Sequence, residues 1–221
     1  ISHLRGRPIP RGGSGMLADA LGRFIEAHGG IVHTNKPVER LIIEGGRCVG
    51  VECSDGSRYR ARKGVVSTIH IKDLVEMAPR DLWSEELLDI VDIWQPEHAM
   101  FAFTFALSAR PTYSSSEGGT IEPCEAAILQ RPESIFVLNA DQASGELNID
   151  DYPIQIVHPS NVDPTRAPAG YGSVKIEGTI PYALKQGPEH WDMLKEEVAD
   201  QLLTYYMRHT TNLTKDHVLA K

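Results

Sequence analysis

Apolar residues first recur at helical spacing as Met16, Leu17, Leu21, Phe24 and Ile25, inside the stretch GGSGMLADALGRFIEAHGG. Ser14 is placed to cap this helix and Gly29–Gly30 to end it, so the pattern predicts a helix over 14–28. The period then falls to two. IVHT (31–34) reads as a short strand, and VERLIIE (38–44) and RCVGVEC (47–53) flank Gly45–Gly46 as the arms of a hairpin. SDGS (54–57) turns the chain into a third strand, RYRAR (58–62). GVVST (64–68) is a short apolar run closing on small polar residues, the pattern of a buried parallel strand. Segments 31–34 and 64–67 are expected to be parallel, with the 38–62 meander beside them.

Residues 71–95 read as helical, with Ser84 as N-cap and Glu85 and Glu86 in the first turn of SEELLDIVDIW. HAMFAFTFALS (98–108) alternates as a strand does, and 109–123, rich in Pro, Ser and Gly, reads as a loop. Further strands are expected at 134–139 (SIFVLN), 153–158 (PIQIVH) and 173–180 (SVKIEGTI). Between the last two runs the turn-rich loop PSNVDPTRAPAGYG. The last long element is a helix over 188–209, opened by Pro188, with Trp191, Leu194, Val198, Leu202 and Tyr205 as one apolar stripe. The tail TTNLTKDHVLAK shows neither cap nor strand end. The expected class is α/β (α+β): helix, strands and β-meander in residues 1–70, then a mixed sheet covered by helices 84–94 and 188–208 within 71–221.

Charge narrows the function classes. The chain has 22 Lys+Arg against 30 Asp+Glu, a net charge of −8, which argues against a nucleic-acid binder with its basic stripe. No run of about 18 apolar residues exists, so no transmembrane helix is expected, and any membrane contact would be peripheral. Cys48, Cys53 and Cys124 form no CxxC and no zinc-spaced set with histidine. No metal is therefore expected, and the expected compartment is cytoplasmic or otherwise intracellular.

Candidate chemistry is sparse. The N–H groups of Gly12-Gly13-Ser14-Gly15, ahead of a helix, offer an anion site, but no strand precedes them, and a tight turn into the helix explains the glycines better. His70 follows a strand end, where cofactor contacts gather in α/β folds, although a lone histidine there is more often structural. No residue stands out as acid, base or nucleophile, so the catalytic residues are left unassigned. A chain that leaves its chemistry to a bound cofactor has this character.

Two stretches carry a family resemblance. Residues 12–68 resemble the middle of the FAD-dependent amine oxidase and phytoene desaturase superfamily: a Gly-rich lead into a helix, a strand ending in a V-x-R-like segment, a meander with a D-G turn, and a strand ending in V-V-S. PSNVDPTRAPAGYGSVKIEGTIPYAL (159–184) resembles the P-S-x-x-D-P-x-x-A-P-x-G segment of the phytoene desaturase-like branch. That branch includes carotenoid desaturases, retinol saturase-like proteins and pyridine nucleotide-disulfide oxidoreductase domain proteins. The resemblance implies a flavoprotein that binds FAD and works as a desaturase- or dehydrogenase-like oxidoreductase by hydride transfer to flavin. Its substrate would be small and apolar, of the isoprenoid kind. The backbone of Val38 would meet the adenine of FAD, and Ser67 and Thr68 would lie near the dinucleotide. Alternate residues of 98–108 and 173–180 would line the substrate pocket. Met100, Ala102, Thr104 and Ala106 form one face, and Phe101, Phe103, Phe105 and Leu107 the other; which is core stays open.

The family's dinucleotide fingerprint and its late flavin-contacting segment are not in these 221 residues, and the chain starts with ISHLRGRPIP, without Met. The resemblance therefore implies a central fragment. Residues 1–70 would be the central part of an FAD-binding, Rossmann-like domain and 71–221 a substrate-binding domain. Such a fragment is expected to be inactive alone, to bind FAD weakly or not at all, and to self-associate through a patch including Ile31, Val65 and Val66. The alternative is a non-catalytic relative serving as a binding or interaction protein.

Overall fold

The computed structural model describes residues 10–94, 98–129 and 131–221; position 95, the end of the helical reading of 71–95, lies outside them. The chain divides into two units, one within Gly22–Gln95 and one within Ile1–Leu21 and Pro96–Lys221. Helix α1 (Gly15–Ala27) forms where its periodicity predicts, and none of its residues is buried.

In the first unit, β1 (Val38–Glu44), β2 (Arg47–Cys53) and β3 (Arg58–Arg60) make an antiparallel meander in the order β1-β2-β3. Gly45 and Gly46 take φ of 56° and 73°, the left-handed pair that a two-residue hairpin with the native strand twist requires. At the second turn Asp55 accepts from Ser57 N (3.1 Å) and Ser57 Oγ (2.6 Å) and pairs with Lys36; chiefly that last bond holds its carboxyl far below the usual carboxylate range. Exposed ion pairs cross the meander: Glu52 with Arg40 (2.5 Å) and Arg58 (2.8 Å), and Glu44 with Arg60 (2.7 Å).

Two expected strands are not there. Segments 31–34 and 64–68 join no sheet, so the parallel pair expected of a Rossmann-like piece is absent from the described residues. A strand exists only with a hydrogen-bonded neighbour, and a short apolar run does not supply one. Pro79 divides the helical reading of 71–95, because it carries no N–H for a continuing helix. What results is α2 (Ile71–Val75), a 3₁₀ turn (Arg80–Leu82) and α3 (Glu85–Ile93). Ser84 caps α3 as expected, its Oγ accepting from Leu87 N at 3.3 Å.

The second unit is built on a five-stranded sheet, β10-β4-β9-β8-β7, made of β4 (His98–Leu107), β7 (Glu125–Ile128), β8 (Ile154–Val157), β9 (Gly172–Pro181) and β10 (Val218–Ala220). β4 and β9 pair along their whole length, from His98↔Pro181 to Leu107↔Gly172. Every pairing is antiparallel, where a mixed sheet was expected. Two short strands, β5 (Tyr113–Ser114) and β6 (Thr120–Ile121), pair inside the loop at 109–123.

The segment expected as strand 134–139 is instead the start of helix α4 (Ser134–Ser144). Its buried residues, Ser134, Leu138 and Asp141, recur at helical spacing, whereas four consecutive apolar residues in SIFVLN hide that period. The sheet edge is taken by β7, whose sequence EAAI carries little strand preference. The tail is structured as well. Thr214 and His217 form a reciprocal capping box, and β10 pairs with β4. A three-residue strand is too short to show a period.

After the short helix α5 (Pro159–Val162) the chain reaches the long helix α6 (Trp191–Met207), and one face of this sheet packs against α4 and α6. Phe105, Ile156, Val174, Ile176, Leu202, Tyr205 and Tyr206 are fully buried or nearly so, each stabilising the fold by about 1.5–3 kcal/mol through removal from water. Val198, Leu202 and Tyr205 of the expected helix stripe lie in this core, with Trp191 and Leu194 partly buried at its margin.

Candidate functional site

Alternation along β4 answers which face is core. Phe101, Phe105 and Leu107 point inward and Phe103 is half-buried, while Met100 (76 % exposed), Ala102, Thr104 and Ala106 point out. The register carries that outer face across the sheet. One row runs Ala102, Glu177, Gln155, Ala127, and the next Thr104, Lys175, Val157, Glu125. On this face lies an open groove of about 850 Å³, lined among others by Met100, Ala127, Leu129, Gln155, Glu177 and Thr179. Its apolar lining includes Met100 on β4 and Ala126, Ala127 and Ile128 on β7, with Leu129 beyond, while Glu125 puts a carboxylate on the β7 side. Polar groups also stand on the middle strands: Lys175 Nζ lies 2.6 Å from Glu177 Oε2, and Gln155 Nε2 donates to Glu125 Oε1. The sequence reading missed Glu177, Gln155 and Glu125. The signal for Glu177 and Gln155 was the outward phase of SVKIEGTI and PIQIVH, which has meaning only once the inward phase is known, while Glu125 lies on β7, a strand the sequence did not announce.

The cofactor candidates lie in the other unit. Val38 opens β1, the edge strand of the meander, and pairs with Cys53. An edge strand offers main-chain hydrogen bonds to a ligand, although Leu41 N on β1 is taken by Met77 O at 2.8 Å. Ser67 and Thr68 are exposed in irregular chain, with Ser67 Oγ accepting from Ile69 N at 3.1 Å. These features fit a main-chain contact to an adenine ring and a nearby ligand. His70 caps α2, accepting from Lys72 N at 3.3 Å, and its ring lies 4.9 Å from that of Trp94, a structural role.

The glycine loop is not an anion cradle. Gly12 N donates to Asp163 Oδ2 at 2.7 Å and Gly13 N to Pro10 O at 2.9 Å. A Cβ on Gly13, whose φ is 106°, would fall 1.8 Å from the Arg166 guanidinium. The two sequence segments that carry the family resemblance therefore meet, with Asp163 also accepting from Thr165 Oγ1 at 2.6 Å. Mainly that bond, then the one from Gly12, holds the Asp163 carboxyl below its ordinary range.

Two buried polar networks had no signal in the sequence. His158, fully buried at the end of β8, has Nε2 2.9 Å from Tyr113 Oη and 3.2 Å from Tyr206 Oη. Its Nδ1 is buried and makes no hydrogen bond among the described residues, and the Cys124 backbone only partly offsets the effect of burial on the ring. Burial holds its pKa down at about 4 and pushes Tyr113 up to about 12. Asp141 accepts from Tyr152 Oη (2.5 Å), Asn148 Nδ2 (2.8 Å) and Asn148 N (3.0 Å), and burial first, then this bond, raises the tyrosine. All three cysteines are free thiols, and no described helix is long and apolar enough to cross a membrane.

No family model matches the chain. A pyridine nucleotide-disulfide oxidoreductase domain-containing protein 2 from Rattus norvegicus is 24% identical over 200 residues, 87% of this chain and 34% of that protein. A phytoene desaturase (neurosporene-forming) from Cereibacter sphaeroides is 24% identical over 196 residues, 87% of this chain and 36% of that protein. The chain thus spans about a third of the length of these curated relatives. The crystal structure of an oxidoreductase from Methanosarcina mazei shares the fold, with a TM-score of 0.57 and 20% identity over 96% of this chain and 42% of that one. Over most of its length the chain is similar to the phytoene desaturase-like branch of the FAD-dependent oxidoreductases, as its two motif stretches suggested.

Proposed function

We propose that the chain is the substrate-side part of an FAD-dependent oxidoreductase of the desaturase or dehydrogenase kind. The observation that carries this reading is the outer face of the five-stranded sheet, an open groove whose apolar lining at Met100, Ala127 and Leu129 flanks the carboxylates of Glu125 and Glu177. Likeness to a phytoene desaturase supports a substrate with an apolar, isoprenoid-like chain. Bound FAD would supply the hydride acceptor or donor for a C–C or C–N bond. The chain's own residues bind and orient. Met100, the β4 residue that lines the groove, adapts its unbranched side chain to the ligand. Residues 71–221 serve this substrate side and 1–70 the cofactor side, where the Val38 backbone, Ser67 and Thr68 meet the dinucleotide.

Alone, the chain holds FAD poorly. Two main-chain hydrogen bonds of about 1 kcal/mol each fall short of the roughly 4 kcal/mol that a 1 mM complex needs. Titrating FAD into the ¹⁵N-labelled chain is expected to move the amides of Val38, Ser67 and Thr68 with a Kd weaker than about 1 mM. Shifts confined to Gly12–Gly15, or a yellow protein after gel filtration, would overturn this placement. We further propose that the exposed apolar residues of 22–95, Val66 at 94 % foremost, are a contact surface through which chains associate. Sedimentation at several concentrations tests it: the parent is expected to self-associate and Val66→Lys to do so less.

A further inference from the structure

We infer that the ligand of the outer groove is an amphiphile, an apolar chain ending in a hydrogen-bond-donating head, and not a bare hydrocarbon. The inference rests on the reading of this face as the substrate floor and names the substrate class. Polarity is not spread evenly over the groove. The apolar lining, Met100, Ala127, Leu129 and Pro153, is supplied from the β4 side, the β7 side and the lead into β8. The polar part of the lining holds Gln155 and Glu177, side by side in the register, with Glu125 of β7 bonded to Gln155. Glu177 points away from the core, yet its side chain is only 16 % exposed and its carboxylate is engaged by Lys175. A hydrocarbon laid across this row would strip water from a charged pair and from the Gln155–Glu125 bond while returning no hydrogen bond, the unfavourable way to bury polar groups. A ligand with a polar end over β8–β9 and its chain against Met100 and Leu129 avoids that loss.

The sign of the head follows from the lining. Its charged side chains are Glu125 and Glu177, both carboxylates, while Lys175 stands outside it. Ionised carboxylates only accept hydrogen bonds, so the matching head donates, as a hydroxyl or an ammonium does. Directly opposite Glu177 on β4 stands Ala102, whose side chain is a single methyl and offers the head no competing charge.

The test is binding to the full chain without flavin, read at the ¹³C-labelled methyl of Met100 and the side-chain amide of Gln155. The probes are octan-1-ol, octylammonium and octane, compared at equal hydrocarbon activity. Octanol and octylammonium are expected to shift both reporters, with octane weaker by roughly tenfold. Glu177→Gln is expected to weaken octylammonium more than octanol, and Glu177→Leu to turn the preference toward octane. Gln155→Leu, checked like the others for a native ¹⁵N spectrum, is a second variant expected to favour octane. Octane binding as tightly as octanol, or an unchanged preference in both leucine variants, would overturn the inference and leave the groove reading standing. If none of the three probes moves the Met100 methyl, the groove reading falls and the inference with it.

Discussion

The five-stranded sheet and the three-stranded meander come from one chain but are stabilised differently. Every residue of the large buried cluster lies between Phe101 and Leu213, in the sheet unit. Within Gly22–Gln95 the buried apolar residues are Cys53, Val75 and Val91, while Ile31 (75 %), Val66 and Ile93 stand in solvent. The meander nonetheless forms complete strands, because its turns and strand pairings are local. A meander thus needs only neighbours along the chain, whereas a core needs distant ones.

Core truncation should separate the two units most sharply. Phe105→Ala, at a fully buried position of β4, is expected to destabilise the sheet unit by about 3–5 kcal/mol, while Val66→Ala stays within about 0.5 kcal/mol. Urea unfolding with amide exchange read separately at Val174 and Ile42 measures both. A loss at Phe105 no larger than at Val66 would erase the contrast.

Acid should act on the sheet unit next most strongly. Burial lowers His158 from 6.5 to about 4, so between those values the unfolded chain binds the proton and the folded one does not. The contribution is complete above pH 6.5 and is lost as pH falls toward 4, by up to about 3 kcal/mol. Asp163, held below its ordinary range, loses its contribution only at lower pH, so the histidine window stands apart. His158→Gln should flatten the dependence of the urea midpoint between pH 6.5 and 4; an unchanged slope would assign it to other groups.

A smaller loss is expected from Tyr152→Phe, which removes the shortest bond to buried Asp141 and should cost about 1–3 kcal/mol by thermal unfolding. Smallest of all is Arg60→Ala in the meander. Its partner Glu44 is exposed, and no change in unfolding midpoint is expected at any salt concentration. A measurable loss there would mean that surface pairs do hold the meander together.

What the sequence showed follows the same division. The Gly45–Gly46 hairpin, the Ser84 cap and the stripe of α6 were legible because each depends on residues a few positions apart. Segments 31–34 and 64–68 were misread because a strand is defined by its partner, and SIFVLN because four adjacent apolar residues fit either period. The groove was half legible. The alternation of 98–108 offered two faces but not which was inside, and Glu177 and Gln155 became neighbours only through the pairing of β8 with β9. The burial of His158 depends on Tyr113 and Tyr206, far away in the chain, and leaves no local trace.

The position of β4 also has a consequence in time. It lies between β9 and β10, and both follow it in the chain: β4 ends at Leu107, β9 begins at Gly172 and β10 at Val218. At a synthesis rate of about 5–20 residues per second, β4 leaves the ribosome several seconds before either partner exists. During that interval the nascent chain displays MFAFTFAL, uncharged and free of proline, with both edges open. Outward-facing Thr104, the one polar side chain in that stretch, is then its only interruption.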